Sequence, residues 1–225
     1  GNNTILRGSV SRGFTTPSLS MVSGGGLFLS PNPSLEPEKI WSYQAGMESG
    51  ILEFLWVKIT LFRHDVKDIL KVVFQGAGPP TYNDMYVNEG KSRRQGFEVE
   101  TETVPIYNLS LSAGFSRTGI TPPLEGSLSS AMHSVNLVLK YNDNKSIYAE
   151  VSGCYRDWDI NNEYIQADYD DFIWDFNVNK KIMINDKVKP ELFFAAHNIF
   201  NSDQYPYIEF KNPKRWFEGG IKLYF

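Results

Sequence analysis

The chain has 225 residues and a formal net charge of −4 at pH 7, so it lacks the basic footprint of a nucleic-acid binder. A single cysteine, Cys154, excludes an internal disulfide framework and a Cys-rich zinc site. Aromatic residues make up 14% of the chain, and 18 glycines accompany them, a mix that suits strands and tight turns better than helices.

No apolar run approaches the roughly 18 residues a transmembrane helix needs. The longest are short, as in Leu192-Phe193-Phe194-Ala195-Ala196. The mean hydropathy of −0.33 is compatible with a membrane barrel, whose strands alternate lipid-facing and lumen-facing side chains and average to near neutrality. Gly1-Asn2-Asn3-Thr4 carries neither the basic start nor the apolar stretch of a signal peptide, and a strand pattern follows at once. The expectation is a chain truncated upstream of its first residue.

Period-2 alternation recurs from end to end. Thr4 to Arg12 sets Leu6, Gly8 and Val10 against Arg7, Ser9 and Ser11. Lys39 to Ser49 sets Trp41, Tyr43, Ala45 and Met47 against Ser42, Gln44, Gly46 and Glu48. Leu55, Val57, Ile59 and Leu61 continue the scheme, although Trp56 and Phe62 fall on the opposite face. Gly96 to Glu102 places Glu98, Glu100 and Glu102 on one face, unsuited to a dry core but acceptable in a water-filled barrel. Further strands are expected over Asn108 to Ser116, Met132 to Tyr141, Ser146 to Arg156, Asp171 to Lys180, Glu191 to Asn198 and Arg215 to Phe225. That gives about ten strands, many near the roughly 9–11 residues that cross a bilayer when tilted.

The connections alternate long and short. Gly13 to Glu38, Gln75 to Asp84, Gly119 to Ser130, Asp159 to Tyr169 and Asn201 to Pro213 are long. Gly50 to Glu53, Pro105 to Tyr107, Asn142 to Lys145 and Asn185 to Lys187 are tight. Transmembrane barrels have short periplasmic turns on one rim and long extracellular loops on the other, whereas a soluble sandwich has no reason to keep that asymmetry.

The last segment, Trp216 to Phe225, places Phe217, Ile221, Leu223 and Phe225 on one face, with Glu218, Lys222 and Tyr224 on the other. It resembles the terminal assembly signal of outer-membrane barrels, with Glu218, Gly220, Leu223 and Phe225 in the signal positions. That resemblance implies the barrel-assembly machinery as a partner. Four further segments resemble, in family order, the C-terminal half of TonB-dependent receptors. They are Arg7-Gly8-Ser9-Val10-Ser11-Arg12-Gly13-Phe14 with Pro17-Ser18-Leu19; Asn32 to Lys39 with Trp41-Ser42-Tyr43; Asn88 to Glu100; and Asn198-Ile199-Phe200-Asn201 with Tyr205. The resemblance implies an all-β fold: residues 1–225 would form roughly the last ten strands of an antiparallel transmembrane barrel of about 22. A plug domain and a TonB box, both absent from this chain, would precede it. It further implies the outer membrane of a Gram-negative bacterium, contact with outer-membrane lipid, coupling to the TonB complex through the missing N-terminal region, and import of a small metal chelate or related scarce ligand (ferric siderophore, haem or cobalamin). No enzymatic activity, cofactor or bound metal is expected.

The side chains offer several candidates beside these. Tyr82, Tyr86, Trp158, Tyr164, Tyr205 and Tyr207 gather at the expected outer rim, with Arg93, Arg94 and Arg156 nearby. They suit stacking and charge contacts with a planar anionic ligand, or equally the interfacial aromatic girdle. Asp168-Tyr169-Asp170-Asp171 has oxygen donors for calcium but not the spacing of an EF-hand, and reads better as a solvated loop. His64-Asp65 and His197 lack a second histidine at ligand spacing and read as lumen-facing polar residues. Gly24-Gly25-Gly26 lacks the Gly-Lys-Ser/Thr of a phosphate loop. Two other classes stay open: a ten-stranded outer-membrane enzyme of the omptin kind, using Asp170-Asp171 and His64-Asp65, and a soluble all-β binding module.

Overall fold

The computed structural model describes residues 3–24, 29–74, 84–122, 131–157, 160–161, 166–167, 171–183, 189–204 and 211–224. The elements are β1 (Thr4–Thr15), a short helix α1 (Leu19–Ser23), β2 (Leu29–Ser30), β3 (Glu38–Leu52), β4 (Leu55–Lys67), β5 (Leu70–Phe74), β6 (Asp84–Asn88), β7 (Lys91–Thr103) and β8 (Leu109–Thr121). There follow β9 (Ala131–Asn142), β10 (Ile147–Asp157), β11 (Ile160–Asn161), β12 (Gln166–Ala167), β13 (Phe172–Lys181), β14 (Lys189–His197) and β15 (Trp216–Tyr224).

Ten strands form one sheet in the order β1-β3-β4-β7-β8-β9-β10-β13-β14-β15, every neighbouring pair antiparallel. Each strand lies beside the next in the chain, so the sheet is a meander with β1 and β15 at its edges. Its ladders connect the two faces read from alternation: Val10 opposes Tyr43, Leu61 opposes Phe97, and Phe115 opposes Val135. The apolar face runs unbroken across the sheet.

That face has nothing packed on it. Among the described residues the buried apolar side chains are Pro190, Ala195 and Ala196, while Leu6 is 76% exposed, Leu61 54% and Ile221 65%. A soluble sandwich would cover such a face with a second layer. Here the apolar face is solvated by lipid instead, and the polar face lines a lumen. The soluble-module reading fails on this point.

Among the described residues the tight connections at 53–54, 104–108 and 143–146 lie on one rim and the longer ones start from the other, as expected; the expected tight turn Asn185 to Lys187 lies outside the described residues. Asp143 to Ser146 joins β9 to β10, with Asn144 in the left-handed region at φ 56°, a conformation asparagine tolerates. Two features differ from the sequence expectation. Several strands run further toward the long-loop rim: β7 starts at Lys91 rather than Gly96, and β8 ends at Thr121 rather than Ser116. Beyond the bilayer both faces are polar, so the hydropathy alternation fades while the hydrogen-bonded ladder continues. The connection after β4 also holds the hairpin β5–β6, and β2 from the preceding loop adds a parallel third strand.

Candidate functional site

The lumenal face carries the polar wall. Lys58 opposes Glu100 in the β4–β7 ladder, and its Nζ donates to Glu100 Oε1 at 3.0 Å. Glu48 accepts from Arg7 at 3.2 Å and from the Trp56 indole N–H at 3.3 Å. Trp56 therefore faces the lumen because its polar edge has a partner there. Phe62 faces it for another reason: its ring fills the space over Gly96, where a Cβ would meet Phe62 Cζ at 2.8 Å. Half-exposed ion pairs of this kind each contribute about 0–1 kcal/mol, so they shape a wet wall rather than hold the fold together.

A second lumenal cluster joins three strands. His197 on β14 has Nδ1 3.7 Å from Asp175 Oδ1 on β13 and Nε2 3.5 Å from Glu218 Oε1 on β15. Its ring stacks on Trp216 with centroids 3.9 Å apart, and the Asn198 backbone N–H donates to Asp175 Oδ1 at 2.8 Å. The residues are distant in sequence and share no motif spacing; only the strand register brings them together, which is why sequence reading missed the cluster.

His64 and Asp65 do not cooperate. Consecutive residues of a strand point to opposite faces; His64 shares a lumenal hydrogen bond of 2.9 Å with Ser42, while Asp65 binds Arg63 and Arg93 on the outward face. His64 and Asp65 thus do not form the His–Asp pair that the enzyme alternative assigned to them. Arg93 likewise leaves the candidate ligand set, because it faces the membrane side. Among the described residues no group of three His, Cys, Asp or Glu side chains is arranged to hold a metal ion.

At the long-loop rim, Tyr86 lies on β6 opposite Val72, and its carbonyl accepts from Asn32 Nδ2 at 2.8 Å. Asn88 Nδ2 donates to the carbonyls of Glu36 and Asp68, and its Oδ1 accepts from the Glu36 N–H at 2.7 Å. One side chain therefore ties two loops together. Tyr82, Trp158, Tyr164, Tyr205, Tyr207 and Phe225 lie outside the described residues, as do Asp168 to Asp170, Gly25 and Gly26. Gly24 ends α1 at φ 79°. Of the remaining terminal-signal positions, Glu218 and Gly220 face the lumen beside His197 and Phe193, and Leu223 faces lipid opposite Pro190.

An antiparallel meander with a bare apolar face, a polar lumenal face and short turns on one rim is the wall of an outer-membrane β-barrel. The chain matches the family model "TonB dependent receptor-like, beta-barrel" over residues 1–206, and it belongs to that family, whose members reside in the outer membrane of Gram-negative bacteria. Among solved structures it is similar to the siderophore receptor PirA from Pseudomonas aeruginosa, at TM-score 0.72 and 15% identity over 99% of this chain and 37% of that one. It is similar to the hemophore receptor HasR of Serratia marcescens, solved with HasA and heme, at TM-score 0.72 and 16% identity over 98% and 37% of the two chains. A third neighbour is the copper transporter OprC, at TM-score 0.71 and 12% identity, again over 98% and 37%. The chain thus spans little more than a third of these neighbours' length. No curated protein matches it.

Proposed function

We propose that this chain is the C-terminal portion of the barrel of a TonB-dependent importer for a scarce ligand of the ferric siderophore, haem or cobalamin class. A plug domain and TonB box, encoded upstream, complete the receptor and couple it to the TonB complex. The observation that carries the reading is the continuous polar wall from Arg7 to Glu218, set on a sheet that matches a receptor barrel family along most of its length. The siderophore and heme receptors among the structural neighbours support the ligand class. The chain itself has no enzymatic role in this reading.

Tyr82, Tyr86, Trp158, Tyr164, Tyr205 and Tyr207 are the proposed ligand contacts from the outer loops. Glu218, Gly220, Leu223 and Phe225 are the proposed signal for the barrel-assembly machinery. The test is uptake of radiolabelled ferric chelates, haem and cobalamin by cells whose only receptor is the full-length protein, with and without TonB. TonB-dependent accumulation of one ligand is expected; equal uptake without TonB overturns the importer. Deleting Phe225 is expected to impair assembly far more than Asp170→Ala, and equal assembly of the two overturns the terminal signal.

A further inference from the structure

The lumenal face changes character around the tight-turn rim. Near that rim β3 and β7 present Glu48, Glu100 and Glu102, with Arg7 and Lys58 paired among them. By the same alternation β9, β13, β14 and β15 present Lys140, Lys181, Lys189 and Lys222, with Glu150 and Glu191 among them. Between β9 and β14 the wall is recessed into a hollow of about 510 Å³. Two cross-strand rows line it. Asn142, Tyr148 and Asn179 stand side by side on β9, β10 and β13. Nearer the rim, Lys181 of β13 opposes Glu191 of β14, and Lys145 borders the hollow from the β9–β10 turn.

Backbone bonds fix the edges of this hollow. The Lys181 N–H donates to the Ser146 carbonyl at 2.7 Å, which ties the turn to β13, and Asp143 holds the turn from within. Glu191 is only 5% exposed, and Lys222 Nζ lies 3.5 Å from its Oε1, so its charge is answered from β15. The Tyr148 hydroxyl donates to Glu150. Among the described residues the Lys145 and Lys181 ammonium groups have no carboxylate partner. The hollow thus combines two unanswered cations with side-chain amides that can both donate and accept. An extended peptide carrying carboxylates meets both needs.

The edge of the sheet selects the peptide. β15 runs from the long-loop rim to the tight-turn rim and ends beside this corner, where its Lys222 holds Glu191. The free edge of β15 cannot stand unpaired in lipid. In an antiparallel barrel the strand that covers it starts at the tight-turn rim, so the polypeptide leading into that strand arrives there. Two strand spacings, about 10 Å, separate β15 from β13, and about three extended residues cover that distance. We propose that the hollow docks an acidic stretch of the segment joining the plug domain to the first barrel strand, with its carboxylates on Lys145 and Lys181 and its backbone on Asn142 and Asn179. The inference rests on the reading above that a plug and further strands precede this chain. Glu48, Glu100 and Glu102 repel the same segment, so the charge pattern steers it to one side of the lumen mouth.

The full-length protein in outer membranes, with the photocrosslinker p-benzoylphenylalanine in place of Tyr148, tests this by irradiation and peptide mass spectrometry. The expected product is an internal adduct to the segment just before the first barrel strand. Lys145→Glu and Lys181→Glu together are expected to lower its yield about tenfold, the scale of losing one or two charge-assisted contacts. Lys67→Glu, on the outward face, is expected to leave it unchanged. No adduct, or an adduct to the body of the plug, to a cell-wall glycan or to another protein, overturns the proposal whether or not the charge variants fold. A joining segment without Asp or Glu, or a yield unchanged by the two lysine substitutions, overturns it as well. TonB-dependent uptake without this adduct removes the docking alone and leaves the importer standing.

Discussion

The ring of Phe193 lies across Gly220: a Cβ at residue 220 would stand 2.8 Å from its Cε1 atom. The two residues oppose each other in the β14–β15 ladder, and the Lys222 ammonium sits 5.0 Å from the same ring centroid. An aromatic side chain thus covers the bare backbone of a strand at the sheet edge. Gly220→Val forces the ring away, and overpacking of this kind costs about 1–3 kcal/mol. The urea midpoint of the folded full-length barrel measures it. An unchanged midpoint would show that the ring does not need the glycine.

Gly96 is more constrained still. A Cβ there would lie 2.0 Å from the Arg117 carbonyl oxygen, which is backbone and cannot swing aside, and 2.8 Å from Phe62. At Gly13, by contrast, nothing lies within 4 Å of the added atom. Gly96→Ala is therefore expected to destabilise by about 1–3 kcal/mol or more, and Gly13→Ala to stay within about 0.5 kcal/mol of wild type. Heat-modifiable migration and urea unfolding of both variants decide. Similar losses for the two would remove the steric account.

These glycines mark how far the sequence could be read. Alternation was enough to assign Leu6, Val10, Leu61 and Phe97 to one face, because a lipid-exposed face tolerates few polar side chains. It left Phe62 and Trp56 as anomalies, because their reasons lie on neighbouring strands, in Gly96 and Glu48. Strand ends near the long loops were read short for lack of a hydropathy signal above the bilayer. Extending the odd-numbered face of β4 past Leu61 would have exposed Arg63 and Asp65 as outward charges. No local pattern could have paired Asp175 with His197 and Glu218, since only register joins them.

The tie made by Asn88 predicts a shared motion of two loops. Its amide donates to the Glu36 and Asp68 carbonyls at 2.8 and 2.9 Å and accepts from the Glu36 N–H. Asn88→Ala removes all three bonds, at about 1 kcal/mol each, and is expected to speed amide exchange both at 31–37 and at 68–74. Asn88→Asp keeps the acceptor but neither donor and should give an intermediate rate. Hydrogen-exchange mass spectrometry of the full-length protein reads both segments. Faster exchange in one segment alone would show that the loops are independent.

The β9–β10 turn gives a pH dependence whose sign is fixed by geometry. Asp143 Oδ1 accepts from the backbone N–H groups of Ile147, Lys145 and Ser146 at 2.9, 2.8 and 2.8 Å, and Oδ2 accepts from the Ser146 hydroxyl at 3.2 Å. The Ile147 bond leads in holding the carboxyl below its ordinary 3.8, at about 2. A carboxyl depressed by folding adds stability above its unfolded value and loses it as pH falls through the folded value. The contribution is therefore complete above about pH 5 and fades between about 4 and 2. Asp143→Asn keeps a neutral oxygen for the turn but has no proton to take up. The urea midpoints of wild type and Asp143→Asn should differ by a constant amount above pH 5 and converge toward pH 2. Curves that stay parallel through that range would mean the carboxylate charge plays no part in the turn.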